Sequence, residues 1–230
     1  MESFDTVVRF FQDGGSFMLP IAIVLAIGLA IALERFFVLT GAKLANQKAF
    51  KQLMPQLAKG DYKQVLNQKS NAGVAKIISS GLERIEHTQR REEIEYAMEE
   101  QVLELMPRLE KRTAYLATLA NIATLLGLLG TIIGLIAAFS AVADADPAEK
   151  ASLLSASISV AMNTTAFGLI AAIPLLLCHS VLQTKTTEII DGLEMAGVKC
   201  LNLLTKQNLV SQKTRQTDKG DDYVSPQVAK

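Results

Sequence analysis

Three long apolar runs are the feature that most limits what this chain can fold into. They cover residues 17–39, 113–143 and 153–182, and each is free of Asp, Glu, Lys and Arg through its middle. A helix needs about 20 apolar residues to cross roughly 30 Å of hydrocarbon. In hydrocarbon, only helices and closed barrels satisfy every backbone polar group, and no strand-like alternation occurs in this sequence. The sequence therefore predicts an all-α membrane protein with three transmembrane helices.

Loop charge predicts the orientation of these spans. Lysine and arginine are frequent between the first two runs, whereas the loop between the second and third runs, DADPAEK, holds one lysine. Positively charged loops stay in the cytoplasm, so the N-terminus is expected outside and the C-terminus inside. The predicted layout is an interfacial periplasmic helix at 1–16, a first span at 17–39, a cytoplasmic helical region at 40–112, a second span at 113–143, a periplasmic loop at 144–152, a third span at 153–182, a cytoplasmic helical extension at 183–207 and a disordered tail at 208–230.

The second and third spans are expected to continue as very long helices into the cytoplasm. Between Arg91 and the second span, Pro107 is the one helix breaker, and it is expected to kink the helix rather than end it. Upstream, Gly60 is expected to separate two short helices. An apolar stripe of Ile94, Met98 and Val102 at four-residue spacing predicts a helix packed on one face.

Composition excludes several classes of function. The formal net charge is +0, and no phosphate-binding glycine loop, zinc motif or nucleophile elbow is present. Cys178 and Cys200 have no metal-ligand spacing. We therefore expect no enzyme, no nucleic-acid partner, no permanent metal and no resident cofactor.

Small residues form a stripe on each of the last two spans. Gly127 and Gly134 share one helix face of the second span, and Ala161 and Gly168 share one face of the third. Small residues let helix backbones approach closely in lipid, so these positions are predicted to be packing positions. A threonine interrupts each stripe, Thr131 in the second span and Thr165 in the third.

Further polar residues in the third span predict more than an anchor. Asn163 and Thr164 precede Thr165, and Ser155 and Ser159 continue a second polar line with Asn163. Unpaired amides and hydroxyls are costly in hydrocarbon, so they need protein partners or water. The first span offers none across its middle, which predicts that the last two spans form the wall of an oligomeric pore. Because no span carries a central ionisable group, another chain is expected to supply the carboxylate of an ion path.

These motifs resemble those of a known family. The stretch LLGLLGTIIGLIAAF, followed by SISVAMNTTAFGLIAAIP, resembles the MotA/TolQ/ExbB superfamily of ion-driven motor subunits. The first span resembles the ExbB/TolQ branch, in which a Glu-Arg pair, here Glu34 and Arg35, closes that helix at the interface. The resemblance implies a homo-pentamer in the bacterial inner membrane, surrounding an ExbD/TolR-like single-span partner whose aspartate binds the ion. It also implies that Thr131 and Thr165 line the pore opposite that aspartate.

Further expectations follow from the same resemblance. The assembly would convert ion-motive force into mechanical work on the cell envelope, for example through a TonB-like transducer in outer-membrane transport. The position five residues before Thr165, usually glutamate in ExbB and TolQ, is Val160, and Thr164 replaces a usual alanine. A Thr-Thr pair resembles sodium-driven stator subunits, so the transported ion is expected to be Na⁺ or H⁺, with the pair favouring Na⁺.

Two alternatives remain open on the sequence alone. A flagellar-type stator subunit shares the motifs but is expected to have four spans. A purely structural membrane scaffold would use the same polar faces only to hold an oligomer together.

Overall fold

The computed structural model describes residues 14–68, 70–88 and 90–221, with side chains described except at 144 and 207–221. All regular structure in these ranges is α-helical. The helices are α1 (Met18–Lys59), α2 (Tyr62–Asn67), α3 (Gly73–His87), α4 (Arg91–Glu110), α5 (Thr113–Asp144) and α6 (Lys150–Asp221). Of the predicted interfacial helix at 1–16, residues 1–13 lie outside the described part of the chain.

Three of the helical stretches are long and apolar enough to cross a membrane. They lie within α1, within residues 91–143 and within α6. The apolar segments leave most of their surface uncovered by the chain itself; Leu125, Ile136 and Leu177, for example, are more than 60% exposed. Lipid or other protein must cover such a surface, because exposed apolar patches of this extent are rare on soluble monomers. The prediction of an all-α protein with three candidate spans is confirmed.

Helix α1 continues well past its apolar part. The Glu34–Arg35 pair was expected to close this helix, but α1 runs on to Lys59, so that expectation is wrong. The residues after the span are mostly Ala, Leu, Lys and Gln, which are good helix formers, and the helix continues through Gly41 and Pro55. It ends at Lys59, and Gly60 follows with a φ of +82°, which suits the residue after a helix terminus. The predicted break at Gly60 is confirmed, but the helix before it is not the short one expected.

The helix entering the second span is interrupted at a position without Gly or Pro. Pro107 lies inside α4, whereas the break falls at residues 111–112, between α4 and α5. Arg112 adopts a left-handed conformation with φ 68°, the one positive φ of a non-glycine residue in the described part of the chain. Its guanidinium binds the Glu34 carboxylate, with Nη1 2.7 and 2.8 Å from the two oxygens. The expected uninterrupted helix is therefore wrong, and a tertiary ion pair accompanies the break.

Helix α6 is continuous for 72 residues, with Pro174 inside it. The predicted disordered tail begins at 208, yet the helix continues to Asp221; residues 222–230 lie outside the described residues. Extending an existing helix costs far less than nucleating a new one, which accounts for helical structure in this polar sequence.

The chain divides into two compact units. The first comprises Met1–Val38 and Glu110–Lys185, and the second comprises Leu39–Leu109 and Thr186–Lys230. The core of the second unit includes Leu57, Ile77, Ile94 and Leu204, each at most 1% exposed. Ile94, Met98 and Val102 of the predicted stripe are all buried, which confirms that face of α4. In the first unit, the face of α5 that carries Ala120 and Ala123 is buried.

Candidate functional site

The small residues of α5 and α6 bring the two helix backbones into close contact within the first unit. A Cβ atom added at Gly168 would lie 2.8 Å from the Ala123 carbonyl oxygen and 3.0 Å from the Gly127 Cα. One added at Gly134 would lie 2.9 Å from the Ala161 Cβ. A real Cβ would collide with backbone at Gly168 and with the Ala161 side chain at Gly134, so glycine is the residue that fits. The structure therefore places the four predicted packing residues of the two spans against one another.

The close approach exposes a backbone carbonyl that a threonine of the facing helix reaches. The Thr165 hydroxyl donates to the Gly127 carbonyl oxygen at 2.8 Å. On α5, the Thr131 hydroxyl donates to the Leu128 carbonyl oxygen of its own helix at 2.6 Å. The two hydroxyl oxygens lie 3.4 Å apart. The structure thus brings together, within one chain, the two threonines that the sequence predicted on facing spans.

The chemistry of this pair depends on which acceptors its two hydroxyl hydrogens bond. Each hydroxyl has one hydrogen and two acceptor lone pairs. The shorter donor contact of each hydroxyl is to a carbonyl oxygen, so we place each hydrogen there. Lone pairs on two neighbouring oxygens then remain to accept a proton donor or to bind a cation. Both threonines are only half-buried. This oxygen pair, which we call the hydroxyl pair, is the candidate functional site.

Thr164 has a different environment from its neighbour. It is 2% exposed, and its hydroxyl lies 2.7 Å from the Gly14 carbonyl oxygen and 2.9 Å from the Val160 carbonyl oxygen. Its methyl group packs against Gly130, where a side chain would have no room. The structure thus joins Thr164 to the turn that precedes α1 and separates it from the hydroxyl pair.

The second polar line points away from the rest of the chain. Ser155 and Ser159 are exposed, and Asn163 is half-buried. Among the described residues, these three side chains have no hydrogen-bond partner. For this line, the sequence argument that polar faces need groups from outside the protomer stays a prediction. It is wrong for the threonines, because a hydroxyl can bond a carbonyl of its own helix or one uncovered by a facing glycine.

Charged residues gather at the opposite end of the first unit. Glu34 pairs with Arg112. Arg35, the residue after Glu34 on α1, is buried at 4% exposure. Lys185 on α6 places its Nζ 3.6 Å from the centre of the Phe36 ring, a cation–π contact. The sequence indicated Glu34 and Arg35, but it gave no signal that Arg112 would be the partner of Glu34.

In the described part of the chain, no cluster of three or more His, Cys, Asp or Glu residues could hold a metal ion. A sequence model described as the MotA/TolQ/ExbB proton channel family matches residues 69–195, a range that contains the whole hydroxyl pair and its glycine surroundings. No curated protein matches the chain.

Proposed function

Because the chain belongs to the MotA/TolQ/ExbB proton channel family, a non-enzymatic channel family, we propose that it is the ion-path subunit of an ExbB/TolQ-like motor in the bacterial inner membrane. In this proposal five copies surround an ExbD/TolR-like single-span partner. The partner's aspartate carries the ion, and the assembly converts ion-motive force into mechanical work on the cell envelope, as in TonB-type outer-membrane transport.

The hydroxyl pair is the observation that carries this proposal. Its two oxygens lie in spans that contain no Asp, Glu, Lys or Arg between residues 115 and 143 or between 151 and 182. A carboxylate from another chain is thus the group that a proton or cation would travel on. The two oxygens supply neutral acceptors beside it, and each is held in position by its hydrogen bond to a carbonyl.

We assign H⁺ rather than Na⁺ as the coupling ion. A sodium ion needs several oxygen ligands, and the sequence argument for Na⁺ rested on Thr164 together with Thr165. Thr164 is buried with its one hydroxyl hydrogen directed at carbonyl oxygens of Gly14 and Val160, away from the hydroxyl pair, which leaves that pair as a small ligand set. A proton needs only the carboxylate and a short hydrogen-bonded path.

The test is Thr165→Val in the complex with its single-span partner, reconstituted in vesicles carrying a pH-sensitive dye. Valine keeps the shape of threonine but removes the hydroxyl, so proton flux should fall at least tenfold while the mass of the assembly stays unchanged. Thr124→Val is the matched control, because among the described residues the Thr124 hydroxyl bonds the Ala120 carbonyl of its own helix, at 3.1 Å, and no group of another helix. Full proton flux in Thr165→Val would reduce the hydroxyl pair to a packing feature.

A further inference from the structure

The second unit contains an open groove between α4 and α6. Its volume is about 400 Å³, and Ile77 of α3 forms part of its floor. From α4 the wall residues follow helical spacing and include Met98 and Val102, and from α6 they include Leu201. Two hydrophobic side chains at the edge, Leu103 and Val198, are 65% and 54% exposed. The groove thus offers apolar surface that the chain itself does not cover.

The rim of this groove carries charge of one sign. Glu95 and Glu99 of α4 and Glu194 of α6 line it, and no lysine or arginine does. An apolar groove with a charged rim is the usual receptor for an amphipathic helix, whose apolar residues enter the groove while its charges meet the rim. We call this feature the acidic groove. Its occupant must be apolar along one line and basic beside it.

The same unit presents a helix face with those properties. On α1, the exposed residues Leu44, Lys48, Lys51 and Pro55 follow one another at spacings of four, three and four, so they share one face. Leu44 is 53% exposed. Residues 36–60 contain no Asp or Glu, so no acidic side chain of that segment offsets these lysines. We call this surface the basic face.

The acidic groove and the basic face lie on different sides of α6. Gly192 and Met195 line a cavity on the side of α6 that meets α1, whereas Glu194, Val198 and Leu201 face the groove. At about 100° per residue, the centres of these two sides are roughly 160° apart around the helix. One copy therefore cannot place its own basic face in its own groove, but a neighbouring copy can.

The two surfaces also lie at the same level along α6. Phe50, next to Lys51 on α1, has its ring centre 5.4 Å from the Lys199 Nζ. Lys199 lies between Val198 and Leu201, which line the groove. Copies inserted in one membrane with one orientation are related by rotation about the membrane normal. Such a rotation preserves the level along the membrane normal, so the basic face of one copy can reach the groove of the next.

We propose that the basic face of one copy docks into the acidic groove of a neighbouring copy, and that this contact repeats around the ring. Two different surfaces meet, so the contact is heterologous, the type that builds closed rings larger than a dimer. Leu44 and Pro55 would cover the exposed apolar edge, and Lys48 and Lys51 would pair with the glutamates. This inference rests on the proposed oligomeric function.

The test is a cysteine pair, Lys51→Cys with Glu99→Cys, in the full chain carrying Cys178→Ala. Cys200 stays in place because it is 0% exposed. Mild oxidation of membranes should give a ladder of covalent species beyond the dimer. Neither single cysteine variant should pass the dimer, and Lys51→Cys with Glu83→Cys, an exposed glutamate outside the groove, should give no ladder.

The outcomes separate this inference from the proposed function. An assembly that keeps its pentameric mass yet gives no ladder would overturn the docking and leave the proposed function standing. A monomer by mass would overturn both. Charge reversal provides a second measurement: Glu99→Lys should reduce the assembled fraction, and Lys51→Glu in the same chain should restore it. Reduction by Glu99→Lys without restoration would also contradict the docking, and it would indicate that Lys51 binds another surface such as lipid headgroups.

Discussion

At the scale of single residues, the glycines decide where the hydroxyls of the spans can go. Gly127 and Gly168 allow two helix backbones to touch, and that contact leaves the Gly127 carbonyl within reach of the Thr165 hydroxyl. A larger residue at either position would push the helices apart and take away the acceptor. The hydroxyl pair therefore depends on Gly127 and Gly168 as much as on the two threonines.

Gly168→Ala should destabilise the protein by about 1–3 kcal/mol, because its Cβ would meet backbone atoms that cannot move independently. Gly192→Ala, in the same helix, is the matched control: a Cβ there meets nothing within 4 Å. That variant should be neutral or gain up to about 1 kcal/mol from the helix preference of alanine. Unfolding in detergent, followed by circular dichroism, measures both. Equal stabilities in the two variants would contradict the close helix contact.

Cys200 gives the second unit a dependence on alkaline pH. Burial raises the pKa of its thiol above the ordinary 9.0 to about 12. An acid whose folded-state pKa is raised stabilises the fold below its unfolded-state pKa, and that stabilisation is lost as the pH rises from about 9 towards 12. Unfolding measured across that range should show a falling stability in wild type and a flatter profile in Cys200→Ala. A profile unchanged by the substitution would show that another group titrates.

At the scale of helices, features set by local sequence could be predicted, whereas features set by tertiary contacts could not. The spans and the end of α1 at Gly60 followed from apolar length and from glycine, both of which act locally. The break at Arg112 did not, because neither Gly nor Pro stands at 111–112. The partners of Thr164 and Thr165 also could not be predicted, because they depend on how each helix is rotated against its neighbour. For the candidate site, the sequence therefore supplied the residues, and packing supplied their partners.

The left-handed conformation of Arg112 can be separated from its ion pair by two substitutions. Arg112→Gly and Arg112→Ala both remove the contact with Glu34, but glycine adopts positive φ without the steric cost that alanine bears. Arg112→Ala should therefore be less stable than Arg112→Gly by about 1 kcal/mol. Thermal unfolding in one detergent would compare them. If alanine were the more stable, the helix would have closed across residues 111–112.

At the scale of the whole molecule, the basic residues and the apolar helices together predict an orientation in the membrane. Lys59 follows the first candidate span, and Asp146 lies in the short connection between α5 and α6. Under the positive-inside rule, the connection is outside and Lys59 is inside. Basic charge at Arg35, where the apolar part of α1 ends, and at Arg112, just before α5, fits the same assignment.

Cysteine labelling in intact cells checks this orientation. With Cys178→Ala in the background, Asp146→Cys should react with an impermeant maleimide added from outside, and Lys59→Cys should react only after the membrane is opened. Reaction of Lys59→Cys in sealed cells would reverse the orientation. If neither cysteine reacted in intact cells and both reacted after solubilisation, the connection between α5 and α6 would be inaccessible to the reagent from outside.

The lack of Asp, Glu, Lys and Arg through the middle of the spans has a consequence for cells that make this chain in excess over the single-span partner proposed above. A bare proton or metal cation in hydrocarbon lacks a counter-charge, and neutral hydroxyls do not offset the large cost of stripping its water. Assemblies without the partner would accordingly be electrical insulators, leaving the membrane potential intact. Overproduction of the chain alone should be harmless to the energy supply of the cell, because leakage begins only when a carboxylate arrives.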